Sequence, residues 1–155
     1  GLMAAEIFGY TDRRTLKYAH ELGTAFQLTN ILRDVREDAE RGRLYIPLED
    51  FERFNATPQE IFSYRMSAAL RELFTYQAER ARYHYQQAFA HLPDVDRYSQ
   101  RSGLIMAAIY QATLDEIAAD GYNVLERRIS LTPLRKLWLA WTTVRREKRL
   151  YKHAA

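Results

Sequence analysis

Gln27-Leu-Thr-Asn-Ile-Leu-Arg-Asp-Val-Arg-Glu-Asp38, continued by Arg43-Leu-Tyr-Ile-Pro47, is the stretch on which the reading of this chain turns. At about 100° per residue, Gln27, Asn30, Asp34, Glu37, Asp38 and Arg41 share an arc of about 100° on one face of a helix. Leu22, Ala25, Leu28, Thr29, Leu32 and Val35 lie opposite and read as the packed side. Asp34 and Asp38 are one turn apart, which sets their carboxylates roughly 5–6 Å from each other. Like charges at that spacing repel, and a helix gains nothing from them unless a cation sits between or beside them. Mg²⁺ meets the need: it takes one or two carboxylates, keeps several waters and completes its shell with phosphate oxygens.

A plainer reading stands beside this one. An acidic pair at i, i+4 is common on a solvated helix face, and Arg33, Arg36 and Arg41 suffice to neutralise it through side-chain pairs. Two features favour the cation. Gln27 and Asn30 extend the stripe with amides, for which charge solvation has no use. Arg43 and Tyr45 follow the Gly42 that stops the helix, and a guanidinium beside a cation pairs diphosphate oxygens in a fork.

The segment Leu28–Asp38 with Gly42-Arg-Leu-Tyr-Ile-Pro47 resembles the second aspartate-rich motif of the squalene and phytoene synthases. Gly1–Tyr10 is similar to the helix that precedes that motif, and Ile105–Tyr110 and Gly121–Leu125 are similar to the closing helices. The resemblance covers essentially the whole chain. It implies an all-α isoprenoid-synthase bundle and Mg²⁺-dependent head-to-head condensation of two prenyl diphosphates. Asp34 and Asp38 would hold the metal, with Gln27, Asn30 and Arg43 binding substrate. Arg43 would take up charge on the leaving diphosphate, and Tyr45 would face the allylic cation with its ring; Tyr110 and Tyr122 are secondary candidates. The other chain's double bond attacks that cation, giving a cyclopropylcarbinyl diphosphate that ionises again and rearranges.

Farnesyl diphosphate, leading to presqualene diphosphate and squalene, is the substrate favoured at this stage; geranylgeranyl diphosphate, leading to phytoene, is the alternative. The resemblance leaves open NADPH for a reductive second step. A non-catalytic scaffold on the same fold is the competing class, and the clustered carboxylates speak against it. Members of this family are about twice as long and carry a first acidic motif. Asp94 with Asp96, and Asp115 with Glu116, lack its one-turn spacing. The chain therefore reads as the C-terminal half of a single synthase domain, inactive alone and exposing apolar surface through which it self-associates.

Composition sets wider bounds. With 155 residues and 47% hydrophobic content the chain can bury a useful core. The absence of cysteine excludes disulfides and thiolate metal sites. No apolar run approaches the roughly 18 residues of a spanning helix, so the expected setting is cytoplasmic, with polyisoprenoids met at the periphery of a membrane. The net charge of +3 conceals a basic C-terminal region from Arg127 to Lys152. No groove-reading motif accompanies it, which argues against nucleic acid. Leu137, Trp138, Leu139, Trp141 and Leu150 interleave with its charges, as in an anionic-lipid contact. The plainer reading, taken here, packs Trp138 and Trp141 inward and leaves the charges to solvent. The four histidines show no ligand spacing.

Helices are expected over residues 2–9, over 13–41 with Asp12 as N-cap, and in a short turn from Pro47 to Phe54. Thr57-Pro58-Gln59-Glu60 carries a capping box with Pro at the first helical position and opens a helix to Leu92. Phe62, Met66, Leu70, Leu73, Phe74, Gln77, Ala81 and Tyr85 line one side of it, as core or as tunnel wall. A further helix spans 102–121, and Thr132-Pro133 starts the last. No strand alternation competes.

Overall fold

The computed structural model describes residues 13–154, and all its regular elements are α-helical. The expected helix over 2–9 and the Asp12 cap lie outside the described residues. In chain order the helices are α1 (Arg14–Arg33), α2 (Val35–Glu40), α3 (Leu48–Arg53), α4 (Pro58–Phe62), α5 (Ala68–His91), α6 (Asp94–Arg97), α7 (Arg101–Ala119) and α8 (Pro133–Ala154). No helix among the described residues is long and apolar enough to cross a membrane.

The central packing is α1 against α5. Tyr18, Ala19, Leu22, Ala25, Thr29 and Leu32 of α1 are buried, as are Leu70, Leu73, Phe74, Gln77, Ala81 and Tyr85 of α5. Alanines at 25, 78 and 81 let the two backbones approach closely. Within this seam Thr29 Oγ1 donates to Ala25 O at 2.8 Å and shares a 2.8 Å hydrogen bond with Tyr85 Oη, whereas the buried Tyr18 Oη has no hydrogen-bond partner among the described residues. His84 Nδ1 meets Glu21 Oε2 at 2.6 Å at the seam's edge. Helix α7 packs against both α1 and α5 and carries α8 with it.

The Thr57 box forms as the sequence requires. Glu60 N donates to Thr57 Oγ1 and Thr57 N donates to Glu60 Oε1, with Pro58 opening the helix. The single helix expected from 58 to 92 is, however, two. Tyr64 adopts φ +55°, a left-handed turn that ends α4, and Ser67 then caps a new helix by accepting from Leu70 N at 3.1 Å. Phe62 is consequently exposed, while the rest of the expected stripe from Leu70 to Tyr85 is buried. The expected helix over 13–41 is likewise divided at Asp34, where φ −99°, ψ 13° depart from helical values. Its hydrogen bonds persist across the division: Asp34 N donates to Asn30 O at 2.9 Å and Asp38 N to Asp34 O at 2.8 Å. The one-turn spacing of the carboxylates is thereby kept.

Candidate functional site

The site is built on the outer face of α1 and α2. Gly23, Phe26, Gln27, Asn30, Ile31, Asp34, Asp38 and Tyr45 line an open groove of about 550 Å³. Gln27, Asn30, Asp34, Asp38 and Tyr45 thus come together as the sequence places them. Arg43 lies in the adjoining cleft with Asp38 and Tyr45.

Local structure explains why the motif continues past its helix. Gly42, at φ +70°, donates to Ala39 O at 2.9 Å, and Arg43 N donates to Asp38 O at 2.8 Å. Those two bonds are a Schellman cap. They turn the chain back so that Arg43 and Tyr45 stand beside the Asp38 they follow. A left-handed φ at position 42 is costly for any residue with a Cβ.

The electrostatics are uneven along the stripe. Asp34 receives a fork from Arg33, Nε to Oδ1 at 2.8 Å and Nη2 to Oδ2 at 3.1 Å. Neighbouring residues on a regular helix do not face each other, and this pair forms where the helix is interrupted at Asp34. The bond pushes the Arg33 guanidinium up from its ordinary value, and its carbon lies 5.8 Å from the centre of the Tyr110 ring. Asp38 has no such fork. Burial first, and the charge of Asp34 second, hold its carboxyl above the ordinary aspartate value, against Arg41 and Arg43.

Sequence reasoning missed Arg128 as a member of the site. Its Nε lies 3.6 Å from Asp34 Oδ1 and its Nη1 lies 3.3 Å from Glu37 Oε1. The loop that brings it there is fastened by two arginines ahead of Arg128. Arg71 of α5 donates to Gly121 O and Asn123 Oδ1, each at 3.3 Å. Arg36 of α2 donates to Leu125 O at 2.7 Å and Glu126 O at 2.9 Å. Arg36, read from sequence as a neutraliser of the acidic face, does bind Glu40, but its larger part is to clamp this loop. Tyr122 adopts φ +61° at the turn and packs against the core, away from the groove-lining set. Tyr110 stacks edge-on against Phe26 at 4.9 Å and so backs the groove wall.

Asn30 Oδ1 is buried without a hydrogen-bond partner. A buried carbonyl oxygen left so costs on the order of 1–3 kcal/mol, and a cation or a ligand donor in the groove would satisfy it. The donor set suits Mg²⁺ in kind: two carboxylates a turn apart with an amide oxygen, all hard oxygen ligands. Among the described residues no group of three or more His, Cys, Asp or Glu gathers around one point. The chain therefore offers a partial shell that water and phosphate oxygens would complete, which is how Mg²⁺ is ordinarily held.

A helical bundle with hard oxygen donors and guanidinium groups along one open groove has the chemistry that a divalent cation and an anionic ligand would need. Comparison with known proteins narrows the reading. The squalene/phytoene synthase profile matches residues 1–135, and the chain belongs to that family of prenyltransferases. The family is generally dependent on divalent metal and uses prenyl diphosphates. The chain is 42% identical over 123 residues to a 15-cis-phytoene synthase of Synechocystis, covering 77% of this chain and 36% of that protein. It is 36% identical over 143 residues to a phytoene synthase of Mycobacterium tuberculosis, covering 90% and 47% respectively. Among solved structures, a dehydrosqualene synthase in complex with ligand matches with a TM-score of 0.68 at 27% identity, covering 86% of this chain and 47% of that one. The fold is the all-α one of that enzyme. The chain spans less than half the length of the relatives it matches.

Proposed function

We propose that this chain supplies one diphosphate-holding wall of a phytoene synthase that joins two geranylgeranyl diphosphates head to head. The observation that carries the reading is the groove in which Asp34, Asp38 and the unpartnered Asn30 oxygen stand beside arginines. The names of the relatives move the substrate from the farnesyl diphosphate favoured on sequence to the longer geranylgeranyl chain. The dehydrosqualene synthase likeness keeps the farnesyl reading as the second one.

In this proposal Asp34 and Asp38 hold Mg²⁺, with Asn30 and Gln27 orienting its waters or the phosphate oxygens. Bound Mg²⁺ supplies Lewis-acid stabilisation of the departing diphosphate. Arg43, beside Asp38, and Arg128, beside Asp34 and Glu37, take up negative charge as it develops on phosphate oxygens. Arg33, forked onto Asp34 and backed by Tyr110, fixes that carboxylate's direction. Tyr45 offers a ring face to the allylic cation from its place beside Asp38. Phe26 and Ile31 keep the groove wall apolar, which limits water that would quench the cation. The remaining walls and the first acidic motif belong to the rest of a longer enzyme, and the substrates reach it from a membrane surface.

Product analysis with the protein at its native length, Mg²⁺ and each prenyl diphosphate tests the reading. Phytoene from geranylgeranyl diphosphate is expected. Presqualene diphosphate or a C30 hydrocarbon from farnesyl diphosphate alone would install the second reading. Folded, metal-loaded protein that forms no condensed product with either would favour the scaffold.

A further inference from the structure

Helix α8 inverts the usual arrangement of an amphipathic helix. The fully buried residues of its inward side are polar: Thr143 and Glu147 are buried beside half-buried Leu139, Ala140 and Val144, and Glu147 accepts a fork from Arg97 at 2.7 and 3.0 Å. Tyr151 stacks on Tyr98 with ring centres 4.4 Å apart. Thr132 caps its start by accepting from Arg135 N at 3.2 Å, and Arg135 pairs with Glu116 of α7. The helix is therefore held firmly along one side. The plainer sequence reading, with both tryptophans packed inward, is overturned: Leu134 is 80%, Leu137 66%, Trp138 61% and Trp141 52% exposed.

At about 100° per residue these four share an arc of about 120° with Arg145, Lys148, Arg149 and Lys152. All eight are exposed. The face is thus apolar in its first half and cationic in its second. Trp138 and Trp141 lie against each other at 5.5 Å, and Arg145 sits 5.1 Å from the Trp141 ring centre. None of the four cations is paired with a carboxylate among the described residues.

We infer that this face of α8 is an anionic-lipid docking surface, seating Leu134, Leu137, Trp138 and Trp141 among lipid headgroups while the four cations meet anionic ones. Charge complementarity selects that occupant. Indole rings favour the apolar–aqueous boundary, long basic side chains keep their charge at it while lending their stems, and a cationic row draws anionic lipid. A protein segment laid over the tryptophans would need carboxylates of its own spaced to answer that row of like charges. The helix also begins directly after the loop that delivers Arg128 to Asp34, so the docking face and the groove are consecutive in the chain. The inference names the surface behind the membrane contact of the proposed function, and rests on that reading only for its purpose.

Trp138 and Trp141 are the two tryptophans of the sequence, so indole emission from this region reports the face itself. The test is co-sedimentation and emission of the native-length protein with vesicles of phosphatidylcholine, alone or with phosphatidylglycerol at about a third of the lipid. Differences are taken against the Trp138→Phe/Trp141→Phe variant. Binding at least about tenfold tighter to the anionic vesicles is expected, with a blue shift and loss of acrylamide quenching. Replacing Arg145, Lys148, Arg149 and Lys152 by Gln should bring binding down to the neutral-vesicle level. Trp138→Ser/Trp141→Ser should weaken it by about tenfold.

Equal binding to both vesicles, or indifference to the charge variant, would overturn the inference. So would emission already blue and shielded without lipid, because a protein segment then covers the face. Turnover assayed beside binding separates the two proposals. An active enzyme that ignores vesicles refutes the docking surface alone; a vesicle-binding protein without condensed product refutes the synthase reading alone.

Discussion

Helices α1 and α8 both depart from the rule that apolar side chains face in and polar ones out, and they do so in opposite senses. On α1 the side away from the α5 seam keeps a half-buried polar row over a groove, with an amide oxygen left unpartnered and, on α2, a carboxyl lifted from its ordinary value. On α8 the inward side takes the buried carboxylate, fully paired, and the outward side shows two tryptophans. A buried polar group with no protein partner is a cost that a ligand, an ion or a bound water offsets, whereas an exposed apolar face is a cost that a covering surface removes. The same departure from the amphipathic rule thus points to a small ligand at one end of the chain and to an extended partner at the other.

The largest expected effect tests the first half of that contrast. Asp38→Asn keeps size and removes charge. It should lower Mg²⁺-dependent product formation in the native-length enzyme by roughly a hundredfold to a thousandfold, with the circular dichroism spectrum unchanged. Trp138→Ser, assayed with detergent-dispersed substrate, should leave the rate within a factor of two or so. An Asp38→Asn enzyme of near-normal rate would return the stripe to an ordinary solvated face.

Packing gives the next prediction. Leu73 is fully buried in the α1–α5 seam, and Leu73→Ala should cost about 2–5 kcal/mol in urea unfolding. Leu137→Ala on the exposed face of α8 should stay within about 0.5 kcal/mol. A Leu137→Ala cost of several kcal/mol would mean that α8 is covered by protein and would remove the contrast.

How far this contrast was legible in sequence differs between the two helices. The carboxylate stripe, its amides and the glycine stop are all local, and helical spacing alone places Gln27, Asn30, Asp34 and Asp38 on one groove. The Thr57 capping box is equally local and forms as read. What escaped is tertiary or backbone-specific. Phe62, Met66 and Leu70 keep helical spacing across residues 63–67, so periodicity cannot show the left-handed Tyr64 that breaks the helix there. Arg128 looks like one of many basic residues near the C-terminus until Arg36 and Arg71 fasten its loop over the stripe. On α8 the periodicity reveals an apolar face but not what lies against it; only Arg97, by claiming Glu147, shows which side is turned inward.

Arg128 therefore provides a test of the part sequence could not supply. Its contacts with Asp34 and Glu37 are exposed enough to add little stability. Arg128→Gln should leave unfolding nearly unchanged while weakening Mg²⁺-dependent diphosphate binding by about 10–100-fold, measured by calorimetry. A loss of stability with unchanged binding would make Arg128 a fastener of the loop instead, a part Arg36 already fills.

The smallest effect concerns the clasp between Glu21 and His84, which ties α1 to α5 at 2.6 Å and has no counterpart on the outer face of α8. The hydrogen bond from His84 is the main cause holding the Glu21 carboxyl below its ordinary value. A depressed carboxyl means that the unfolded chain takes up the proton first as pH falls. The stabilisation is then fully present above the unfolded value, about pH 4.3, and is lost as pH drops through the lower folded one. Glu21→Gln should accordingly lower the unfolding temperature slightly at pH 6, by about 2 °C or less for a pair worth under about 1 kcal/mol. The difference should shrink as pH falls through the lowered folded value, below which both proteins carry an uncharged side chain at position 21. A difference that does not shrink at all as the solution is acidified would assign the effect to packing of the Glu21 stem, and the strength of the α1–α5 seam would then rest on its buried residues and not on this edge clasp.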